Sequence, residues 1–164
     1  FYRTFNLPVT PVRPFNTYGP RQSARAIIPT LILQMLKNTT IRVGSLHPIR
    51  DFTYVGDTVE GFIKAAEIDG INGEIINIGS NQGISIGELT DILAQIMEKD
   101  ITIECDEERV RPASSEVNRL LCNNQKAKEL IQWQPTVKLK EGLAKTVNWL
   151  EKNQQAYKSN LYNT

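Results

Sequence analysis

Arg13-Pro14-Phe15-Asn16-Thr17-Tyr18-Gly19-Pro20-Arg21-Gln22 decides how the rest of the chain is read. It follows a short β-branched run, Val9-Thr10-Pro11-Val12, and leads into the apolar run Ala24 to Leu36, so it reads as a loop at the C-terminal end of a strand. In open α/β sheets ligands bind at that end. Gly19-Pro20 is a turn signal, Asn16 carries an amide with donors and an acceptor, and Arg13 and Arg21 are permanent forked cations suited to phosphate. A plain solvated loop fits these ten residues equally well.

Working outward, Ala24 to Lys37 is helical in length and composition, with apolar residues on most faces and Pro29 tolerable near the start. Thr40-Ile41-Arg42-Val43-Gly44 alternates as a half-buried strand, and the only histidine, His47, sits in the next loop without ligand-type neighbours. Arg50-Asp51-Phe52-Thr53-Tyr54-Val55-Gly56-Asp57 is the second informative stretch. Arg50 precedes a short aromatic strand, where a fixed guanidinium facing the first loop would suit a diphosphate. Asp57 with Glu60 predicts a capping-box-like start for a helix over Thr58 to Ile68, Asp57 accepting from the first-turn amides, which makes it structural rather than catalytic.

Glu74 to Gly79 reads as a strand, Ser80 to Gly83 as a polar loop, and Ser85-Ile86-Gly87-Glu88 as a capping box opening a helix over Ile86 to Lys99. Ile101 to Cys105 alternates as a strand, Asn123 can cap a helix over Gln125 to Ile131, and the last helix runs Leu139 to Asn153. Phe1 to Asn6 reads as the last turn of a helix, with no initiator Met, so the chain is expected to begin inside something larger.

The 164 residues suit one compact unit over 1–153, followed by a polar tail, 154–164, expected to fray. With 19 Lys and Arg against 18 Asp and Glu, the net charge of +1 argues against nucleic acid or a membrane surface as partner. No apolar run reaches membrane-spanning length and no signal-peptide layout is visible, so a cytoplasmic location is expected. Cys105 and Cys122 lack metal spacing and read as buried free thiols.

The blocks Arg13-Pro14-x-Asn16-x-Tyr18-Gly19-Pro20-Arg21-Gln22, Arg50-Asp51-Phe52-x-Tyr54-Val55-x-Asp57, Asn77-Ile78-Gly79, Arg111-Pro112 with Ser115-Glu116-Val117, and Lys126-Ala127 with Trp133-x-Pro135 occur in this order. Together they resemble the C-terminal half of extended short-chain dehydrogenases/reductases, the NAD-dependent nucleotide-sugar epimerases and dehydratases. The wording around Gly44-Ser45-Leu46-x-Pro48-x-Arg50 looks most like 4,6-dehydratases acting on nucleotide-linked N-acetylglucosamine.

That resemblance implies an α/β fold: the last strands of a Rossmann-type sheet, with segments 7–13 and 58–79 joining it, plus a small mixed substrate-binding lobe. It implies that Asn16 meets the diphosphate or sugar, that Arg50 clamps the diphosphate and Arg111 reaches diphosphate or ribose, and that Glu116 accepts ribose hydroxyls, with Arg21 a further phosphate candidate. Ala113 and Ser114 are two residues more than the family places between Arg111-Pro112 and the acid. Pro14 and Phe15 would lie against the nicotinamide of NAD, Ile28 and Pro29 would border the nucleotide, and Val43 or a neighbour would lie beneath the base.

The family's glycine-rich phosphate loop and Tyr-x-x-x-Lys pair have no counterpart in these residues. The chain alone is therefore expected to be inactive, and to need the missing N-terminal Rossmann half or another chain as partner, in a full-length enzyme that the resemblance implies is a homodimer. Its uncovered strands are expected to expose an apolar face. The 4,6-dehydratase would oxidise sugar C4 transiently and eliminate water across C5 and C6; a 4-epimerase, a stand-alone nucleotide-sugar-binding module and a structural partner of a separate Rossmann chain are the alternatives.

Overall fold

A computed structural model describes residues 1–110, 112 and 115–157. In chain order the elements are α1 (Tyr2–Phe5), β1 (Val12–Pro14), β2 (Asn16–Tyr18), α2 (Ile27–Lys37), β3 (Thr40–Val43), β4 (Ile49–Tyr54), α3 (Val55–Glu67), β5 (Ile76–Ile78), β6 (Gly83–Ser85), α4 (Ile86–Ile96), β7 (Thr102–Cys105), α5 (Gln125–Ile131) and α6 (Leu139–Lys152). The strands form three small sheets: β1 beside β5, β2-β4-β6, and β3 beside β7. All pairings are parallel except β4 with β6. Among the described residues no helix is long and apolar enough to cross a membrane.

The first strand begins later than its β-branched residues suggest. Pro8 and Pro11 have no N–H to give a ladder, so pairing starts at Val12, next to Ile76, after Pro11 O has accepted from Ile76 N–H at 3.0 Å. The stretch expected to be loop contains a strand, because Asn16, Thr17 and Tyr18 pair with Phe52, Thr53 and Tyr54. Gly83 to Ser85, at the edge of the expected polar loop, is likewise a strand, held by its antiparallel register with Ile49 to Asp51.

The helices follow their local signals more closely. Pro29 sits in the first turn of α2, where the missing N–H has no helical partner in any case. Ile28, Leu31, Ile32, Leu33 and Met35 are all buried, as the apolar residues on most faces required. At α4 the capping box is complete: Ser85 accepts from Glu88 N–H at 3.1 Å, and Glu88 accepts from Ser85 N–H at 2.9 Å.

One cap is different from its expected form. Helix α3 starts at Val55, so Asp57 lies inside its first turn instead of preceding it. Its buried carboxylate accepts from Thr136 and Val137, not from first-turn amides. The role is structural, but it ties α3 to the distant segment before α6.

Two cores result. The larger lies where α2, α4 and α6 cover β2, β3 and β4, around Tyr18, Leu31, Met35, Leu89 and Leu143. The smaller collects Ile76 and Ile78 of β5 with Ala127, Ile131 and Trp133. Trp133 is fully buried and donates its indole N–H to Asp57 O at 2.9 Å; burying a large apolar side chain of this kind stabilises by about 2–3 kcal/mol.

Of the strand segments expected to be uncovered, Ile76 and Ile78 are buried while Val9 and Ile75 are exposed; other exposed large apolar residues include Phe1, Phe5 and Leu7 near the start and Val59, Phe62 and Ile63 of α3. The thiols also divide: Cys122 is buried, but Cys105, expected to be buried, is exposed because it ends β7 at the surface. Of the segment expected to fray, Gln154 to Ala156 forms a 3-10 turn, and Tyr157 donates to Gln22 O at 3.0 Å; residues 158–164 lie outside the described residues.

Candidate functional site

The parallel pair β2–β4, one side of α2 and the end of β3 border a cleft of about 770 Å³. Asn16, Arg50 and Glu116 all line it, with Ile28 and Val43 among its apolar walls. Asn16 faces Phe52 across the ladder, and its amide nitrogen donates to Asp51 O at 2.9 Å, which fixes the orientation of the amide. Arg50 is anchored twice. One terminal nitrogen, Nη1, donates to Val117 O at 2.6 Å and to Ile49 O at 3.0 Å, while Nη2 meets Glu116 Oε1 at 2.8 Å.

Arg25, Lys37 and Arg109 join Arg50 in the lining, and sequence reasoning did not select them as site residues. Arg109 comes from the 3-10 turn Glu107–Arg109 and pairs with Asp106 at 2.8 Å. That turn can rest on the end of β3 only because residue 44 is Gly: a Cβ there would stand 2.6 Å from Arg109 O. The sign that could have pointed to Arg109 is the neighbouring strand pair β3–β7, which carries the turn to the rim.

The remaining expected residues sit elsewhere. Arg21 is exposed, in the left-handed backbone region at φ 67°, and lies outside the cleft lining. Pro14 ends β1, and the N–H of Phe15 donates to Ile78 O at 2.8 Å, so both stand at the C-terminal end of the β1–β5 pair. Arg111 lies outside the described residues.

Beneath Arg50, the buried Asp51 ties the site together. One carboxylate oxygen accepts from Ser80 N–H at 2.8 Å and Ser80 Oγ at 2.6 Å, the other from Asn81 N–H at 2.8 Å and Cys122 N–H at 3.0 Å. Four neutral donors from two other segments thereby hold the strand that carries Arg50. Burial pushes the Cys122 thiol up to about 12, with the Asp51 charge adding to the effect. Phe52 forms part of this cleft and also of a second one of about 570 Å³ on the side of α4 and residues 135–139.

Residues 1–146 match the family model described as GDP-mannose 4,6 dehydratase. The chain is similar to a putative UDP-glucose 4-epimerase of Methanocaldococcus jannaschii, 32% identical over 157 residues that cover 93% of this chain and 49% of that protein. It is 31% identical to dTDP-D-glucose 4,6-dehydratase of Homo sapiens over 164 residues, covering 97% of this chain and 46% of that one. Among solved structures, UDP-glucuronic acid 4-epimerase from Bacillus cereus in complex with UDP-glucuronic acid and NAD superimposes with a TM-score of 0.83 at 31% identity, over 92% of this chain and 48% of that one. The chain spans about half the length of the curated relatives it matches.

Proposed function

Because this chain belongs to the GDP-mannose 4,6-dehydratase family, whose members similar to it are nucleotide-sugar epimerases and dehydratases, we propose that it is the nucleotide-sugar-binding half of an NAD-dependent nucleotide-sugar 4,6-dehydratase. One observation carries the reading. A chain of net charge +1 gathers Arg25, Lys37, Arg50 and Arg109 in the lining of one cleft where, among the described residues, Glu116 is the only carboxylate, with the Asn16 amide in the same lining. A diphosphate with a polar sugar on one side and a nucleoside on the other matches that lining, since guanidinium forks bind phosphate oxygens in pairs.

The chain's work is to anchor and orient. Arg50 and Asn16 hold the diphosphate, a part of the substrate remote from the reacting carbon, and that binding energy fixes where the sugar lies. Arg111 and Arg21 are further candidates for phosphate contacts, on the family resemblance of the blocks that contain them. Pro14 and Phe15 fit the flank of a nicotinamide, because they stand at the C-terminal end of a parallel strand pair, where ligands of open α/β sheets lie. NAD, when bound there, supplies the hydride acceptor for oxidation at sugar C4. A ketone at C4 acidifies the C5 proton, water would then leave across C5 and C6, and the hydride taken from C4 would return to C6 with a proton at C5, giving a 4-keto-6-deoxy sugar.

The exposed apolar side chains of Phe1 and Phe5 and of Val59, Phe62 and Ile63 on α3 support docking on a Rossmann half, with segments 7–13 and 58–79 joining its sheet. A 4-epimerase is the second reading, favoured by the similarity to the Methanocaldococcus jannaschii protein; it needs the same anchor and differs only after C4 is oxidised. Calorimetric titration with UDP-N-acetylglucosamine, GDP-mannose and dTDP-glucose tests the binding step. One of the three should bind, and Arg50→Ala should weaken it by about tenfold or more. Absence of binding by all three overturns the reading. Product analysis on the full-length protein, a 4-keto-6-deoxy sugar against a C4 epimer, decides between the two chemistries.

A further inference from the structure

The geometry points to Glu116 as an internal competitor for the substrate diphosphate: its carboxylate occupies part of the Arg50 guanidinium and has to give it up when the ligand enters. The inference rests on the nucleotide-sugar reading above and deepens it, since resemblance alone makes Glu116 a partner of the ribose.

Three observations support it. Among the described residues Glu116 is the only carboxylate lining the cleft, whose lining also includes the cations Arg25, Lys37, Arg50 and Arg109. It sits 2.8 Å from Arg50 Nη2, and each of the two side chains is 16% exposed, so the contact is largely sheltered from screening. The guanidinium does not need Glu116 to stay in place. Val117 O and Ile49 O hold Nη1, and the strap that carries Glu116 is fastened separately to β4, Ile49 N–H donating to Asn118 O at 2.8 Å and Leu120 N–H to Ile49 O at 3.0 Å.

An entering diphosphate therefore meets an anion already paired with its main cation. Two like charges at one guanidinium repel, and in a sheltered cleft that repulsion is worth more than at an open surface. Glu116→Gln removes the charge while its amide oxygen still accepts from Arg50, so the cation stays oriented and only the competition is lost. Glu116 is a positioning residue in this account, acting on the ligand through Arg50.

The test is calorimetric titration of the whole chain and its variants with inorganic pyrophosphate and with UDP. Glu116→Gln should bind pyrophosphate about three- to tenfold more tightly than the unsubstituted chain and gain similarly for UDP. Glu116→Asp, which keeps the charge, should gain nothing. Equal or weaker pyrophosphate binding by Glu116→Gln overturns the inference, and loss of UDP binding with pyrophosphate unchanged replaces it with a ribose contact. If Glu116→Gln does not fold, Glu116→Ser takes its place with the same expected gain. Should neither the unsubstituted chain nor these variants bind pyrophosphate, UDP or a nucleotide sugar, the nucleotide-sugar reading falls as well; equal binding by all of them sinks only the role of Glu116.

Discussion

Asp57 and Thr136, 79 residues apart in the chain, share a single carboxylate oxygen: it accepts from Thr136 N–H at 3.1 Å and from its hydroxyl at 2.8 Å. The second oxygen accepts from Val137 N–H at 3.1 Å. Removing this acceptor strands two backbone donors at a partly buried junction. Asp57→Ala should therefore cost about 3 kcal/mol in urea unfolding, and Asp57→Asn less, because one acceptor oxygen survives.

Asp51 makes the same kind of junction under the cleft, and its loss should have a second effect. Asp51→Asn keeps one acceptor oxygen but turns an NH₂ toward donors, which should cost about 2–4 kcal/mol of stability. Because Asp51 positions the strand that bears Arg50, the variant should also weaken nucleotide-sugar binding. Asp57→Asn should leave binding close to that of the unsubstituted chain, and titration of both variants at a temperature where each is folded separates the two effects.

At α4 the capping box predicts a cost and a pH dependence. Ser85→Ala should lose about 1 kcal/mol by removing the N-cap acceptor. Hydrogen bonds from the Ser85 backbone and side chain hold the Glu88 carboxyl below its ordinary range. A lowered carboxylate pKa contributes stability above the unfolded value and loses it as pH falls through the folded value. Urea midpoints of the unsubstituted chain should accordingly decline on the acid side more than those of Glu88→Gln.

Gly79 and Cys122 give a packing test. A Cβ on Gly79 would stand 2.3 Å from the Cys122 Cβ, and the Asn124 amide donates to Gly79 O at 2.8 Å, so the turn cannot easily retreat. Gly79→Ala should destabilise by about 3 kcal/mol.

The Cys122 thiol supplies an alkaline signature. Its raised pKa means that its contribution to stability is whole below the ordinary thiol value of 9.0 and is lost progressively as pH rises toward about 12. Cys105, exposed, should react with a thiol reagent in the native protein, although partial desolvation and Glu107 hold its pKa up. Cys122 should react only on unfolding; rapid native labelling of both thiols would contradict the buried placement.

Local signals were legible wherever chemistry within a few residues decides the outcome. The Ser85-x-x-Glu88 box and the α5 span Gln125–Ile131 stand where the sequence put them, because capping and helix periodicity are short-range, although Asn124 and not Asn123 is the N-cap residue of α5, Asn123 accepting from Gln125 N–H one residue earlier. Asn16 and Arg50 in one cleft were also legible, through the ordered blocks that contain them. What was not legible depends on long-range pairing. Asn16 to Tyr18 looks like a turn until Phe52 to Tyr54 is set beside it. Asp57 reads as a helix cap because Thr136 is invisible from position 57, and the pairing of Arg50 with Glu116 spans 66 residues. Arg25, Lys37 and Arg109 reach the cleft only through the packing of α2 and of β3 with β7.

Among the described residues the ladders end after two or three strands, since the seven strands are divided among three sheets. The segments between the sheets are joined by side-chain acceptors as well as packing: Asp51 ties β4 to residues 80–81 and 122, and Asp57 ties α3 to residues 136–137. The cleft therefore spans two separate ladders, β2–β4 and the end of β3, whose relative placement is set by the core packed between them and not by a shared register.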